Sequence, residues 1–261
     1  MVARTNQVTR NQSVVAAPAA CFECPVRHIA ICKEMADKDI TALFSRATEH
    51  TFEPGQHIVE TGKAAGYIDI LRTGSAYVYR TLPDLRRAIT QVLMPSDIFG
   101  LSSFGEYAFS VRATRKTRIC RFRADDIDDL MGEFPDLQRA IRHYLNLLTH
   151  ILEERTVTLG MKNSLQRVAS FIINIWAYSD WSENENTSFE LPLSRDEIGD
   201  LTGLAPETVS KCFTALRKMR LIDLPRPQEV KVIDKKNFLA LSYSPTDLPE
   251  DMQALIQNFQ K

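Results

Sequence analysis

Three cysteines fall within twelve residues near the start of the chain, as Cys21-x2-Cys24-x7-Cys32, and they are the densest set of chemically capable side chains in the sequence. A CxxC turn can aim two thiolates at one centre, and a third cysteine seven residues further on can fold back to the same point. Thiolates are soft donors that suit zinc and iron–sulfur clusters alike, so the triplet leaves the metal open. A fourth ligand has to come from elsewhere. Cys120, Cys212 and His28 are the candidates, and Arg27 and Lys33 stand near enough in sequence to offset clustered thiolate charge. A redox CxxC or incidental thiols is the plainer alternative. The five histidines (His28, His50, His57, His143, His150) are scattered, and there is no Ser/His/Asp set, glycine-rich nucleotide loop or HExxH stretch. An enzyme is therefore not expected.

A second group with chemistry lies near the other end. Ser194-x-x-Glu197 is a capping box that starts a short helix over Arg195 to about Thr202. Gly203 then supplies a turn, and Pro206 opens a further helix with Val209, Phe213, Leu216 and Met219 on its buried face. That is a helix-turn-helix. Its outer face presents Glu207, Ser210, Lys211, Thr214 and Lys218, the side that such a motif lays in the major groove of double-stranded DNA. A carboxylate accepts from the cytosine N4 amine, lysine donates to guanine O6 or N7, and serine serves several bases. Thr214, Arg217 and Lys218 are assigned to phosphates. Residues 205–236 hold eight cations against four carboxylates in a chain whose net charge is only −1, a local footprint for phosphate. Cys212 falls inside this reader and is read as packing filler.

The elements that must position these groups follow from periodicity. From Pro135 to Gly160, Leu137, Ile141, Tyr144, Leu145, Leu148, Ile151 and Leu152 recur at steps of three and four, which predicts a long helix. The stripe is close to heptad spacing, so the helix is expected to pair with its own copy as a homodimer seam. Before it, from about residue 44 to 123, turn signals such as Glu53-Pro54-Gly55, Thr73-Gly74 and Pro95-Ser96-Asp97 recur at roughly ten-residue intervals between β-like runs, as in antiparallel rolls. Tyr67–Leu71, Ala76–Tyr79 and Ile89–Leu93 are the clearest strands. In Arg118–Arg123, alternation sets Cys120 on one face with Phe122 and sets Arg121 with Arg123 on the other. After Gly160, Asn163 and Gln166 form a capping box for a helix with Leu165, Val168, Ile172 and Ile175 inward, and Leu221–Leu224 and Glu229–Ile233 read as a two-stranded wing.

The fold class is thus α+β, in five parts: a flexible tail over 1–20, a cysteine loop and β-roll over 21–134, a dimerisation helix over 135–160, a winged helix-turn-helix over 161–243 and a C-terminal tail over 244–261. At 261 residues and 44% apolar composition the chain can build two compact domains. No run approaches the roughly 18 apolar residues of a membrane span. Ser13–Cys21 is too short and broken by Pro18 for a signal segment, so a cytoplasmic protein without membrane attachment is expected.

With these residues in place the chain resembles the CRP/FNR superfamily of bacterial regulators, and within it the FNR type, over nearly all of residues 21–240. Pro206-Glu207-Thr208-Val209-Ser210-Lys211 is similar to that family's Glu-x-x-Ser-Arg reading motif, which adds Thr208 to the DNA-facing set. Cys120 falls where the family's distant cluster ligand sits, shortly before Asp128-Asp129-Leu130. The resemblance implies a cyclic-nucleotide-binding-like β-roll (jelly roll), a dimerisation helix and a winged helix-turn-helix. It also implies a [4Fe–4S] cluster on Cys21, Cys24, Cys32 and Cys120 that senses oxygen, an inverted-repeat site similar to TTGAT, contact with RNA polymerase and control of low-oxygen genes. Two departures stand out. Lys211 replaces the usual arginine and lacks its planar fork, and the Cys24 to Cys32 gap is wider than in the best-known members. Cyclic nucleotide is not expected, because the chain reads Gly100-Leu101-Ser102 and Tyr107-Ala108 where the cyclic-AMP binders carry Gly-Glu-Leu and Arg-Ser. The rival readings are a same-fold regulator with a zinc or thiol-redox site, and an iron–sulfur electron carrier.

Overall fold

A computed structural model describes residues 23–102, 105–178 and 188–243. Both expected tails, and Cys21, lie outside the described residues. The chain begins with turns and a single 3-10 turn at Ile31–Glu34, followed by helix α1 (Asp37–Ser45). Eight strands then form two four-stranded antiparallel sheets. These are β1 (Thr48–Phe52), β2 (His57–Val59), β3 (Tyr67–Thr73), β4 (Ala76–Thr81), β5 (Arg87–Leu93), β6 (Ile98–Phe99), β7 (Ser110–Ala113) and β8 (Thr117–Arg123). One sheet runs β1-β8-β3-β6 and the other β2-β7-β4-β5. Their facing sides enclose one apolar core, with Leu71, Leu93, Val111 and Ile119 fully buried. This is the β-roll expected from the turn spacing and the jelly roll that the resemblance implies, with strands 67–73, 76–81 and 87–93 somewhat longer than the β-like runs alone indicate.

Alternation along β8 divides its side chains as expected. Ile119 points into the roll, whereas Cys120 and Phe122 point outward into a second core. That core is closed by α1, by α2 (Ala124–Glu133) and by the first turns of α3 (Pro135–Met161), and it contains Ile40, Leu43, Ile127, Leu130, Leu137, Ala140 and Ile141. Pro135 sits in the first turn of α3, after Phe134 leaves helical geometry, so the proline ends one helix and starts the next without losing a needed donor. The 27 residues of α3 span about 40 Å.

The stripe expected to form a dimer seam is divided by this arrangement. Leu137 and Ile141 are buried in the protomer's own core, and Tyr144 packs against it, its hydroxyl donating to the Ile98 carbonyl (2.7 Å) and accepting from the Ile98 N–H (3.0 Å). These three are corrected from seam to core: the N-terminal third of α3 lies on the roll, and its apolar face is spent there. Leu145, Ile151 and Leu152 are exposed and Leu148 half-buried, so only the C-terminal part of the stripe is open to a partner.

The C-terminal half comprises α4 (Ser164–Tyr178), β9 (Ser188–Glu190), α5 (Arg195–Thr202), α6 (Pro206–Lys218), β10 (Ile222–Arg226), β11 (Glu229–Val232) and α7 (Lys235–Tyr243). Its three-stranded sheet has the order β10-β11-β9. The expected capping box at α4 is present, Gln166 N–H donating to Asn163 Oδ1 (3.0 Å) and Asn163 N–H to Gln166 Oε1 (3.1 Å). Among the described residues no helix is long and apolar enough to cross a membrane.

Candidate functional site

The turn that aims the reading helix is set by neighbours in sequence. Ser194 Oγ accepts from Glu197 N–H (3.2 Å) while Glu197 Oε2 accepts from Ser194 N–H (2.9 Å), which fixes the start of α5. Gly203 ends it in the left-handed region at φ 69°, where a side chain would be strained. A Cβ on Gly199 would come within 2.5 Å of the Leu204 carbonyl, so the close crossing of α5 and the turn requires glycine there. Pro206 then opens α6. Val209, Cys212, Phe213 and Leu216 are buried, Cys212 as packing within the reader's core, and Glu207, Ser210, Lys211, Thr214 and Lys218 are all exposed on the opposite face, with Thr208 half-buried between them. Thr214 Oγ1 donates to the Ser210 carbonyl (3.0 Å), so its hydroxyl meets a phosphate chiefly as an acceptor. The wing is β10 and β11, with β9 added on its far side. Arg195 is a residue that motif reading missed. Its guanidinium stacks over Phe213, 3.3 Å from the ring centroid, and donates to the Pro227 carbonyl (3.1 Å), tying α5, α6 and the wing tip together. Burial lowers its pKa to about 10.

The described cysteines of the sensor are brought into one neighbourhood. Cys32 and Cys120 belong to the outer core with Leu137 and Ile141 of α3, and half-buried Cys24 packs against it. None of the three is in a disulfide. The 3-10 turn that carries Cys32 packs directly on α3. Burial, and then the neighbouring Cys24, push the Cys32 thiol up to about 11. Arg72, absent from the sequence-derived set, lies beside them. Burial alone would lower its guanidinium, but Cys120, Cys24 and Glu49 outweigh that and hold it above its ordinary value. It pairs with Glu49 (2.6 Å), the cross-strand neighbour of Cys120. Its only sequence signal is a cation continuing the otherwise buried run of β3.

Three soft donors share a largely apolar region with one cation among them, which suits a thiolate-ligated group whose negative charge needs an offset. Among the described residues no three His, Cys, Asp or Glu side chains form a ready metal-binding group, and Cys21 lies outside them. The chemistry of the three described donors fits an iron–sulfur cluster. His28 is exposed beside the same loop, and Cys212 lies in the reader's core, remote from these cysteines in the fold.

Sensor and reader are joined by contacts between residues far apart in sequence. Arg87 of β5 pairs with Asp200 of α5 (2.6 Å) and donates to the Tyr77 hydroxyl (2.7 Å). Arg155 of α3 donates to the carbonyls of Ile89 (2.8 Å), Leu201 (3.0 Å) and Thr90, and burial lowers its pKa to about 10. Tyr77 and Ile89 of the roll are part of the reader's core.

Residues 49–134 match the model of a cyclic nucleotide-binding domain, and residues 166–241 that of a Crp-like helix-turn-helix domain. The chain is 30% identical to the transcriptional activator protein FnrL of Cereibacter sphaeroides, over 84% of this chain and 90% of that one. It is 29% identical to a probable transcriptional activator of Rhizobium leguminosarum bv. viciae, over 83% and 90%. Among solved structures it is similar in fold to FixK2 from Bradyrhizobium japonicum, with a TM-score of 0.69 and 24% identity over 75% of this chain and 96% of that one.

Proposed function

The chain belongs to the CRP/FNR family of transcription regulators and carries its DNA-binding helix-turn-helix, and from that premise we propose that it is an oxygen-responsive activator that works as a homodimer in the cytoplasm. In this reading a [4Fe–4S] cluster is held by Cys21, Cys24, Cys32 and Cys120. Two reading helices engage an inverted repeat similar to TTGAT and recruit RNA polymerase to low-oxygen genes. The observation that carries it is the shared core: Cys32 and Cys120 are buried with Leu137 and Ile141 of α3, and Cys24 packs against that core.

When bound, the cluster supplies oxygen-labile ligation between the N-terminal segment and strand β8. The protein's own residues do the rest. With Cys24 and Cys32 tied to Cys120, Val26, Ala30 and Ile31 are held against the first turns of α3, and the pose of that helix is fixed. Arg72 offsets the ligand charge. At the other end Glu207, Ser210 and Lys211 meet base edges, while Thr214, Arg217 and Lys218 meet the backbone. Cooperation between two half-sites makes occupancy depend steeply on how α3 pairs.

The same cysteines could serve a zinc or thiol-redox site. A pKa pushed up to about 11 is the wrong direction for a redox thiol, whereas a coordinating metal deprotonates one outright. Anaerobic purification separates the readings. Brown protein that bleaches in air and contains iron and sulfide is the expected result; colourless protein with one zinc overturns it. Cys120→Ser should lose the cluster, and retention of a full cluster would remove Cys120 as the fourth ligand. A gel shift on an inverted-repeat duplex, tested with and without air, excludes an electron carrier if the shift is lost on exposure.

A further inference from the structure

Where strand β5, helices α3 and α4 and the end of α7 meet, the chain leaves a groove with a cavity of about 300 Å³. Its apolar walls include Met94, Ile151, Leu152 and Phe171, and its polar lining includes Arg155, Lys162 and Arg167. All three cations bond to neutral oxygens. Arg155 and Arg167 each donate to backbone carbonyls, and Lys162 donates to the hydroxyls of Ser170 (2.8 Å) and Ser242 (3.3 Å). No carboxylate forms an ion pair with them among the described residues, but Glu154 also lines the groove and acts on Lys162, so three cations stand against one carboxylate in a net positive lining.

Tyr243, the last described residue, itself lines this groove, and eighteen residues follow it in the sequence. Within 244–261, Met252, Leu255, Ile256 and Phe259 stand at the spacing of a single helix face. Pro249, Glu250 and Asp251 ahead of them are the residue types that favour a helix start. The segment carries Asp247, Glu250 and Asp251 against one cation, Lys261, so its charge is opposite to that of the groove. Eight residues from Ser244 to Asp251 can reach up to about 26 Å when extended, enough to return across a groove that begins at Tyr243.

We propose that residues 244–261 dock into this groove of their own chain, setting Met252, Leu255, Ile256 and Phe259 on its apolar walls and their acidic lead-in on Arg155, Lys162 and Arg167. Docking covers Ile151 and Leu152, two of the α3 residues left exposed in the protomer. The C-terminal segment and a second copy of α3 then compete for the same side chains, a consequence that rests on the homodimer reading, whereas the docking does not.

The test uses the full chain with a photoreactive benzoylphenylalanine in place of Phe259, as a mixture of isotopically light and heavy protein, with adducts mapped by mass spectrometry. Adducts within one chain, on Met94, the Ile151–Arg155 stretch or Phe171, are expected. Ile256→Asp should lower their yield at least fivefold, and it alters no residue of the described fold. Absence of adducts, adducts elsewhere, adducts only between light and heavy chains, or a co-purifying small molecule found in the groove by native mass spectrometry would each overturn the proposal. Ile256→Asp should also raise the dimer fraction severalfold. Groove adducts with an unchanged dimer fraction would uphold docking and sink the pairing through Ile151 and Leu152 instead.

Discussion

The reading helix and the sensor cysteines sit at opposite ends of the molecule and are assembled in opposite ways. Every side chain of the reader's DNA face comes from the thirteen residues of α6, held by a cap, a left-handed glycine and an arginine stacked on Phe213. The described sensor cysteines come from positions 24, 32 and 120, and their core is also the seat of the long helix. A local construction is rigid before any partner arrives. A non-local one, which draws Cys24, Cys32 and Cys120 into a core shared with α3, holds together only while distant segments stay in contact. On the proposed reading, the difference teaches where a switch belongs: in the contact between the cysteine loop and α3, and not in the DNA face.

The severest way to break that comparison is to cut each core in turn. Phe213→Ala removes a buried ring and the seat of Arg195, and should cost about 3–5 kcal/mol and abolish DNA binding. If the reader stands by itself, iron content measured on the same anaerobic preparation should not change. Leu137→Ala, at a cost of roughly 2–5 kcal/mol, should instead impair both iron content and DNA binding, because that side chain belongs to the sensor's core and to α3 together. Equal effects of the two variants on iron would show that the halves are one cooperative unit.

A second break lies at the joint. Asp97 is buried, accepts from Met94 N–H (2.8 Å) and bonds the Tyr178 hydroxyl of α4, with Tyr144 of α3 close by. Burial raises its pKa to about 7. A raised carboxyl stabilises the fold fully below its unfolded value near 3.8, and that contribution disappears as pH rises through 7. At about 1.4 kcal/mol per unit the loss is at most about 4 kcal/mol between pH 4 and 7. Asp97→Asn keeps an acceptor for Met94 and does not titrate, so its unfolding free energy relative to the parent should rise across that window. Parallel curves would mean that Asp97 titrates normally.

Much of the reader was legible in the sequence because its signals are local: Ser194, Glu197, Gly203 and Pro206 each act within one turn of where they stand. One element that escapes is β9, a three-residue strand paired along the edge of β11. The sensor was less legible. Helices α1 and α2, on either side of the segment that reads as strands, carry no signal strong enough to single out, and the α3 stripe reads wholly as a seam because periodicity gives the apolar face of a helix but not what covers it. Leu137, Ile141 and Tyr144 are covered by the roll. Arg72, Arg155 and the Arg87–Asp200 pair matter through partners 23 to 113 residues away, a distance at which pattern carries nothing.

Smaller changes sharpen the account of the DNA face. Lys211→Ala removes a donor from the exposed face while leaving Val209, Cys212 and Phe213 in place beneath it. It should relax preference at one base position by roughly 1–3 kcal/mol and leave non-specific binding nearly intact. The check is a set of single-base operator variants titrated at one salt concentration. A uniform loss on every sequence would reassign Lys211 to a phosphate.

The smallest effect is the most informative about local construction. Ser194→Ala deletes one half of the capping box, leaving the Glu197 N–H without its partner at the start of α5, and should cost about 1 kcal/mol. Because α5 sets the turn that aims α6, and Asp200 and Leu201 at its other end bond Arg87 and Arg155, the loss can spread in either direction. If the reader is a local assembly braced from outside, those two arginines hold the helix and DNA affinity falls by less than the loss of stability. A fall in affinity that matches the full stability loss would mean that the cap, rather than the joint with the roll, positions the reading helix.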